Sequence, residues 1–448
     1  MGSRSKKNRK KTSTTKSPRP QSTDVAQSHG AAKPLPVGRR ARRRQYRNAL
    51  ILVAAFIGLL AAGRVSVEVA QRLKRTEPAA GEAESAFTSF ADADLPAFDE
   101  PVLTLAEIQA QRRIINVHEH IQSLEYAPIY LDIMDELGIQ KICLMGSSMF
   151  TLTLNESYGF TGYDENNEEL LKIVEAYPGR FEAWPVADPL EERKLEKFKD
   201  YVARGATGLK LYTGHGYVTK DREFIFHPIA MDDPRMFRLY EFCEENYIPV
   251  CIHVNPFDDG THKGKPGFAQ ELIAVLSRFP DMKVDVPHFM LSSIKSTRLC
   301  EYLDTFPNVY TDISFGDYFM AAGLKRISQN PPKYRNLFAD YPDRIMYATD
   351  LVLTAGRRKT HDWVREQFQA YLDMLSKAAY TTPAIPDTQL RGLELPDEVL
   401  NRVLFKNYEE FVAKRPKNTK ITRTIDWKRM GVTPIARKPG QAFPPRAK

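Results

Sequence analysis

Ile114-Ile115-Asn116-Val117-His118-Glu119-His120 is an apolar run that ends in two histidines spaced two residues apart. Strand side chains alternate between faces, so both imidazoles of a His-x-His point to one side and can reach one metal ion. Three more ligand-type residues close later apolar runs: His253 in Val250-Cys251-Ile252-His253, His288 in Val284-Asp285-Val286-Pro287-His288, and Asp350 in Ile345-Met346-Tyr347-Ala348-Thr349-Asp350. Any one of these alone reads as a core histidine or a helix cap. Five in order at the ends of apolar runs read as a metal site.

The runs that carry them recur with a regular cadence. Strand-like stretches end near Val117, Leu144, Val186, Leu211, Val254, Phe289, Ile313 and Ala348. Amphipathic helical patterns fill the intervals at 129–137, 168–176, 195–204, 236–247, 268–279 and 294–306, followed by a broken stretch over 319–341. Two further helical patterns, 361–379 and 397–414, come after the last strand. Eight strand–helix units predict an α/β fold, a (β/α)8 TIM-like barrel with the site at its C-terminal mouth. The alternative, a doubly wound open sheet, does not bring the first, middle and last strands to one point, so the ligand pattern argues for closure.

Composition frames this domain. With 42% hydrophobic and 27% charged residues over 448 positions the chain has enough apolar surface for a large core, which excludes a disordered protein. Its four cysteines, Cys143, Cys243, Cys251 and Cys300, form no Cys-x-x-Cys pair and read as buried thiols rather than a disulfide scaffold or zinc knuckle. Residues 1–48 hold fifteen Lys or Arg against the single acid Asp24, a net +14 within a chain of +8, which leaves −6 for 49–448. The basic character therefore belongs to a tail rich in Ser, Thr, Pro and Gln that cannot bury enough surface to fold alone. With no aromatic interleaving it predicts no specific nucleic-acid partner.

Behind that tail, 49–63 is uninterrupted apolar and small residues, closed by Arg64, and the apolar tendency continues to about Ala70. This predicts a single-pass transmembrane or signal-anchor helix over 49–70, with the N-terminus cytoplasmic and the catalytic domain outside. The alternative is export followed by signal cleavage. The resulting division is a basic tail (1–48), the anchor (49–70), a polar linker (71–107), the barrel (108–420) and a basic extension (421–448).

Val117-His118-Glu119-His120, Gly208-Leu209-Lys210-Leu211-Tyr212, Cys251-Ile252-His253-Val254, Val286-Pro287-His288-Phe289 and Tyr347-Ala348-Thr349-Asp350, in that order, resemble the amidohydrolase superfamily, in particular its amidohydrolase-related branch, over about 114–413. The resemblance implies a metal held by His118, His120, His253 and Asp350, with His288 binding a second ion or positioning the reacting water. It implies a hydrolase of amides, esters or lactones; the alternative is a non-oxidative decarboxylase on the same barrel. Two positions depart from the family pattern. Asn116 stands where an Asp is common, and Phe289-Met290-Leu291-Ser292-Ser293 replaces a glycine-rich segment, altering the expected pocket wall.

Three imidazoles and a carboxylate suit one Zn²⁺, with Mn²⁺, Fe²⁺ or Co²⁺ as alternatives and the presence of a second ion left open. Asp350 is the expected proton acceptor and His288 the group that orients the nucleophile. Lys210 shares a strand face with Tyr212, and three roles stay open for it: a carboxylated bridge between two ions, a charge in a one-ion site, or a structural residue. Tyr212, His215 and Arg357 are the expected contacts to a small-molecule substrate, with the basic loop residues Lys263, Lys265, Arg357 and Arg358 suiting an anion. Glu119 falls on the face opposite the histidines and reads as structural. The membrane, reached through the N-terminal helix, is the other expected partner, and association of barrels into a homo-oligomer is compatible with the sequence.

Overall fold

The computed structural model describes residues 90, 100–148, 162–214, 216–218, 224–226, 229–254, 268–291, 296–356, 359–413, 419–430 and 434. The basic tail and the apolar run 49–70 lie outside the described residues. No helix among the described residues is long and apolar enough to cross a membrane.

Eight short strands form the frame among these residues: β1 (Ile114–Ile121), β2 (Ile139–Met145), β3 (Phe181–Trp184), β4 (Leu209–Gly214), β5 (Val250–Val254), β6 (Val284–Asp285), β7 (Val309–Asp312) and β8 (Ile345–Met346). β1–β2–β3 and β4–β5–β6–β7–β8 pair in parallel. Isolated parallel bridges Ala183↔Ala206 and Val186↔Lys210 join the two sets. The last gap is closed by backbone bonds, in which the Val117 amide donates to the Tyr347 carbonyl at 3.0 Å and the His120 amide to Leu351 at 2.8 Å. Val352–Leu353 then pairs in parallel with the end of β1. The ring is a TIM barrel.

Helices follow the strands as the periodicity predicts: α1 (Ala127–Leu137), α2 (Tyr163–Ala176), α3 (Lys194–Ala203), α4 (Pro234–Glu245), α5 (Ala269–Arg278), α6 (Ser296–Thr305), α7 (Gly316–Gln329), α8 (Pro331–Asp340) and α9 (His361–Ser376). The broken pattern over 319–341 is the α7–α8 junction, where Asn330 and Pro331 end one helix and start the next. On α1 the residues Tyr130, Ile133, Met134 and Leu137 recur at helical spacing and are fully or almost fully buried. Each such side chain contributes roughly 1.5–3 kcal/mol relative to exposure. All eight residues of β1 are buried, one face toward the interior and the other under helices.

Three differences from the sequence reading have local causes. β6 stops at Asp285 instead of running to Phe289; Pro287 cannot donate to a ladder, and His288–Leu291 turns into a 3-10 helix with His288 and Phe289 at φ +65° and +49°. Between Ala379 and Arg391 the chain folds into an antiparallel hairpin where helix or loop was expected. The helix Leu105–Ala110, capped by the Thr104 and Glu107 side chains, occupies the end of the stretch read as linker. The described part of the C-terminal segment lies against α6, with Arg423 and Arg429 each 2.8 Å from the fully buried Glu301.

α1 ends at Gly138, which adopts φ +72° so that the chain can enter β2. A Cβ there would stand 2.2 Å from the Gln109 carbonyl oxygen. Gly138→Ala is therefore expected to destabilise the barrel by about 2 kcal/mol, read as a lower urea midpoint at unchanged m-value.

Candidate metal centre

The β1–β2 register slips between Asn116 and Glu119, where three residues of β1 span two of β2. Such a bulge re-aims a side chain beside a site. His118 and His120 end up on the same side, ring centroids 5.4 Å apart, both almost completely buried. Asp350 arrives from the turn after β8 at φ +57°, and its carboxylate Oδ1 lies 3.5 Å from His118 Nε2 and 3.3 Å from His120 Nε2. His288 Nε2 stands 3.8 Å from Asp350 Oδ2. Three imidazole nitrogens thus face one carboxylate.

The opposite ring nitrogens explain that orientation. His118 Nδ1 lies 2.9 Å from the Asp312 carboxylate, His120 Nδ1 lies 2.8 Å from the Met145 carbonyl, and His288 Nδ1 is 3.1 Å from the Ser314 carbonyl and 2.7 Å from its hydroxyl. Carbonyl and carboxylate oxygens only accept, so each Nδ1 carries the hydrogen and each Nε2 is turned to Asp350. Burial, then the nearby Lys210 charge, brings the His118 pKa down to about 4, so its Nε2 is unprotonated at neutral pH. Burial alone would raise Asp350 and Asp312, but the surrounding histidines hold both carboxyls below the usual range.

Glu119, on the other face of β1, is fully buried. Its carboxylate accepts from Asn116 Nδ2 at 2.8 Å, Tyr130 Oη at 3.2 Å, the Leu351 amide at 2.8 Å and the Thr349 hydroxyl. Burial pushes its pKa up to about 8 against the pull of the Thr349 and Asn116 donors. This is the structural role the sequence suggested. Asn116, the family departure, serves that network and accepts from the His118 amide at 3.3 Å, while the carboxylate support of the His118 ring comes from Asp312.

The other expected residues divide. His253 sits beside the cluster, with Nδ1 3.3 Å from His288 Nε2, but its donor atoms do not join the group of His118, His120 and Asp350, which lie within 4.8 Å of one another. Tyr212 Oη is 3.4 Å from His120 Nε2, and its ring stacks on His253 with centroids 5.9 Å apart. Lys210 points inward, is fully buried, and places Nζ 3.0 Å from His118 Nε2. His215, Arg357 and the basic loop residues Lys263, Lys265 and Arg358 lie outside the described residues. Of the segment expected to alter the pocket wall, Phe289 is buried in the core, and Ser292 and Ser293 lie outside the described residues. Phe289 has φ +49° and packs against Phe315, Tyr334 and Phe338 with ring centroids at 6.1–6.4 Å.

Asp312 is the residue that sequence reading missed. It ends the apolar run of β7 in Val309-Tyr310-Thr311-Asp312, the same signal that singled out Asp350. Besides His118 it accepts from the His288 amide at 2.9 Å and from the Ser314 amide at 3.0 Å, holding two histidines of the cluster together. Gly316 is a second constraint. At φ +67° it leaves room for Asp350, whose Oδ2 would stand 2.8 Å from a Cβ.

The amidohydrolase family model matches residues 154–412, more than half of the chain, and the chain belongs to that family. It is thereby a metal-dependent enzyme of the amidohydrolase type. No curated protein matches it. Among solved structures, an uncharacterised TIM-barrel protein from Bordetella bronchiseptica is 16% identical, the match covering 67% of this chain and 98% of that one, at a TM-score of 0.40. A 2,6-dihydroxybenzoate decarboxylase from Rhizobium is 15% identical over 67% and 98% of the two chains, also at 0.40. A 5-carboxyvanillate decarboxylase from Sphingomonas paucimobilis is 13% identical over 67% and 99%, at 0.39. At such distances the likeness says nothing about substrate.

Asp312→Asn keeps the shape of the side chain but removes the charge that fixes the His118 ring. Affinity for Zn²⁺, measured by competition with a chromogenic chelator, is expected to fall by about 10–100-fold with the circular dichroism spectrum unchanged.

Proposed function

We propose that this chain is a hydrolase that uses one bound divalent ion, Zn²⁺, to cleave an amide, ester or lactone bond in a small substrate. The observation that carries the reading is the convergence of His118, His120 and His288 Nε2 on the Asp350 carboxylate, each ring locked from behind. Nitrogen donors with one carboxylate are the ligand set of catalytic zinc, which leaves a coordination position for water. His118, His120 and Asp350 would hold the ion, and His253, in contact with the cluster through His288, would supply the fourth donor. The chemistry such an ion supplies is a water acid enough, with a pKa of about 7, to attack at neutral pH.

The rest is done by side chains. Asp350 is 22% exposed at its side chain, whereas the histidines around it are almost sealed, so its carboxylate is the group of the cluster that solvent reaches. It accepts the proton of the attacking water and returns it to the leaving group. His288 Nε2, beside Asp350 Oδ2, orients the nucleophile and polarises the substrate oxygen. Tyr212 Oη borders the same space and contacts the substrate. Lys210 sets a positive charge behind His118.

Asp350→Asn is expected to lower kcat by about 10²–10⁴-fold with the fold intact by circular dichroism, and undiminished turnover would remove the assignment. Dialysis against a chelator should abolish activity and Zn²⁺ should restore it. Substrate screening is read by product analysis, because release of CO₂ with no water consumed would replace hydrolysis by non-oxidative decarboxylation.

A further inference from the structure

β1 and β2 pair only as far up as Glu119 and Leu144; among the described residues no bridge between them continues beyond that point. Above it each strand follows its other neighbour. His120 and Ile121 register with Val352 and Leu353, and Met145 registers with Trp184 on β3. The His120 and Gln122 amides donate to the Leu351 and Leu353 carbonyls, and the Gly146 amide donates to the Trp184 carbonyl. Peptide groups alternate in direction along a strand, so the Ile121 carbonyl and the Ser147 amide are turned the other way, into the gap between β1 and β2. Buried groups of this kind are costly unless paired.

Asn166, on the first turn of α2 and 2% exposed, fills that gap. Its Oδ1 accepts from the Ser147 amide at 2.9 Å, and its Nδ2 donates to the Ile121 carbonyl at 2.9 Å and the Gln122 carbonyl at 3.4 Å. A primary amide offers the same acceptor and donor as a peptide unit, so the side chain serves as a ladder rung between strands that no longer pair. Asn167 does the same for the next strand end, accepting from the Val186 amide and donating to the Val186 carbonyl, both at 2.9 Å. Two consecutive asparagines buried in a helix satisfy neither helix propensity nor the hydrophobic effect. What they supply is amide.

The rung lies where it bears on the centre. His120 Nδ1 donates to the Met145 carbonyl at 2.8 Å, with the Ser147 hydroxyl 3.4 Å away, and that bond crosses the same gap. Asn166 grips the chain just past His120 on one strand and just past Met145 on the other. We propose that Asn166 is a positioning residue for the metal centre, whose side-chain amide holds the parted ends of β1 and β2 at the spacing that aims His120 Nε2 at Asp350. The proposal rests on the reading of His120 as a ligand. His118 is aimed separately, by Asp312, so loss of the amide acts on one ligand alone.

The test is Zn²⁺ affinity, by competition with a chromogenic chelator, on the full-length wild type and Asn166→Leu, each with and without His120→Ala. Asn166→Leu is expected to weaken binding by about 10–100-fold with the circular dichroism spectrum unchanged. In the His120→Ala background the same change should cost no more than about twofold, because the residue it acts through is gone. Combined with Asp312→Asn, which acts through His118, the two losses should instead multiply. Amide hydrogen exchange reads the rung without metal: in Asn166→Leu the Ser147 amide should exchange faster, while that of Val186, held by Asn167, should not. Wild-type affinity in Asn166→Leu, or a loss of equal size with and without His120, overturns the proposal. If His120→Ala alone binds Zn²⁺ as the wild type does, the ligand reading fails first and takes this proposal with it. If Asn166→Leu does not fold, Asn166→Ser, too short to span the gap, must give the same pattern in the same comparison.

Discussion

The barrel and its site depend on one seam, the line where the first strand meets the turn after the last. The Asp350 amide donates to the His118 carbonyl at 2.8 Å, and the buried Glu119 carboxylate grips that turn from the other face of β1, through the Thr349 hydroxyl on one side of Asp350 and the Leu351 amide on the other. A non-glycine residue at positive φ costs on the order of 1–3 kcal/mol and persists where its surroundings over-determine it. Glu119 and the β1 carbonyl provide that determination. The same bonds that close the ring bring a carboxylate from the end of the domain against two histidines from its beginning.

The electrostatics follow from this placement. Asp350 stands where three ring nitrogens converge, Asp312 stands behind two of those rings, and Lys210 lies close below. Charges so deep are tolerated because each meets an opposite charge or an oriented dipole. His118 is the common member, touching Asp312 through one nitrogen and both Asp350 and Lys210 through the other. Its low pKa is thus a property of position, set by burial and a neighbouring cation rather than by any feature of its own strand.

Much of this is legible in the sequence because two simple periods carry it. Alternation along strands picks out His118, His120 and Lys210 as sharing the interior, and the termination of apolar runs picks out His288 and Asp350. What stays hidden has physical reasons. Asp312 obeys the same rule as Asp350, but its role as a ring-holder appears only when β7 is laid opposite β1. The first strand of the hairpin, Ala379–Thr382, alternates exposed and buried residues, but the second, Ile385–Arg391, does not, and Pro386 within it argues against a strand unless that strand lies at a sheet edge. His253 is legible as an inward residue, but the rotation of its ring toward His288 is a matter of packing that no period encodes.

The seam also governs when the cluster can exist. Glu119 and Leu351 are 232 residues apart in the chain, so the contact that poises Asp350 is among the most non-local in the domain. Contacts of that separation are entropically late, and a barrel emerging from the ribosome presents its His-x-His long before its last strand. During that interval the two imidazoles lack the carboxylate that they face in the folded barrel. Ring closure is therefore a checkpoint, coupling completion of the fold to the first moment at which the His118, His120 and Asp350 cluster is assembled.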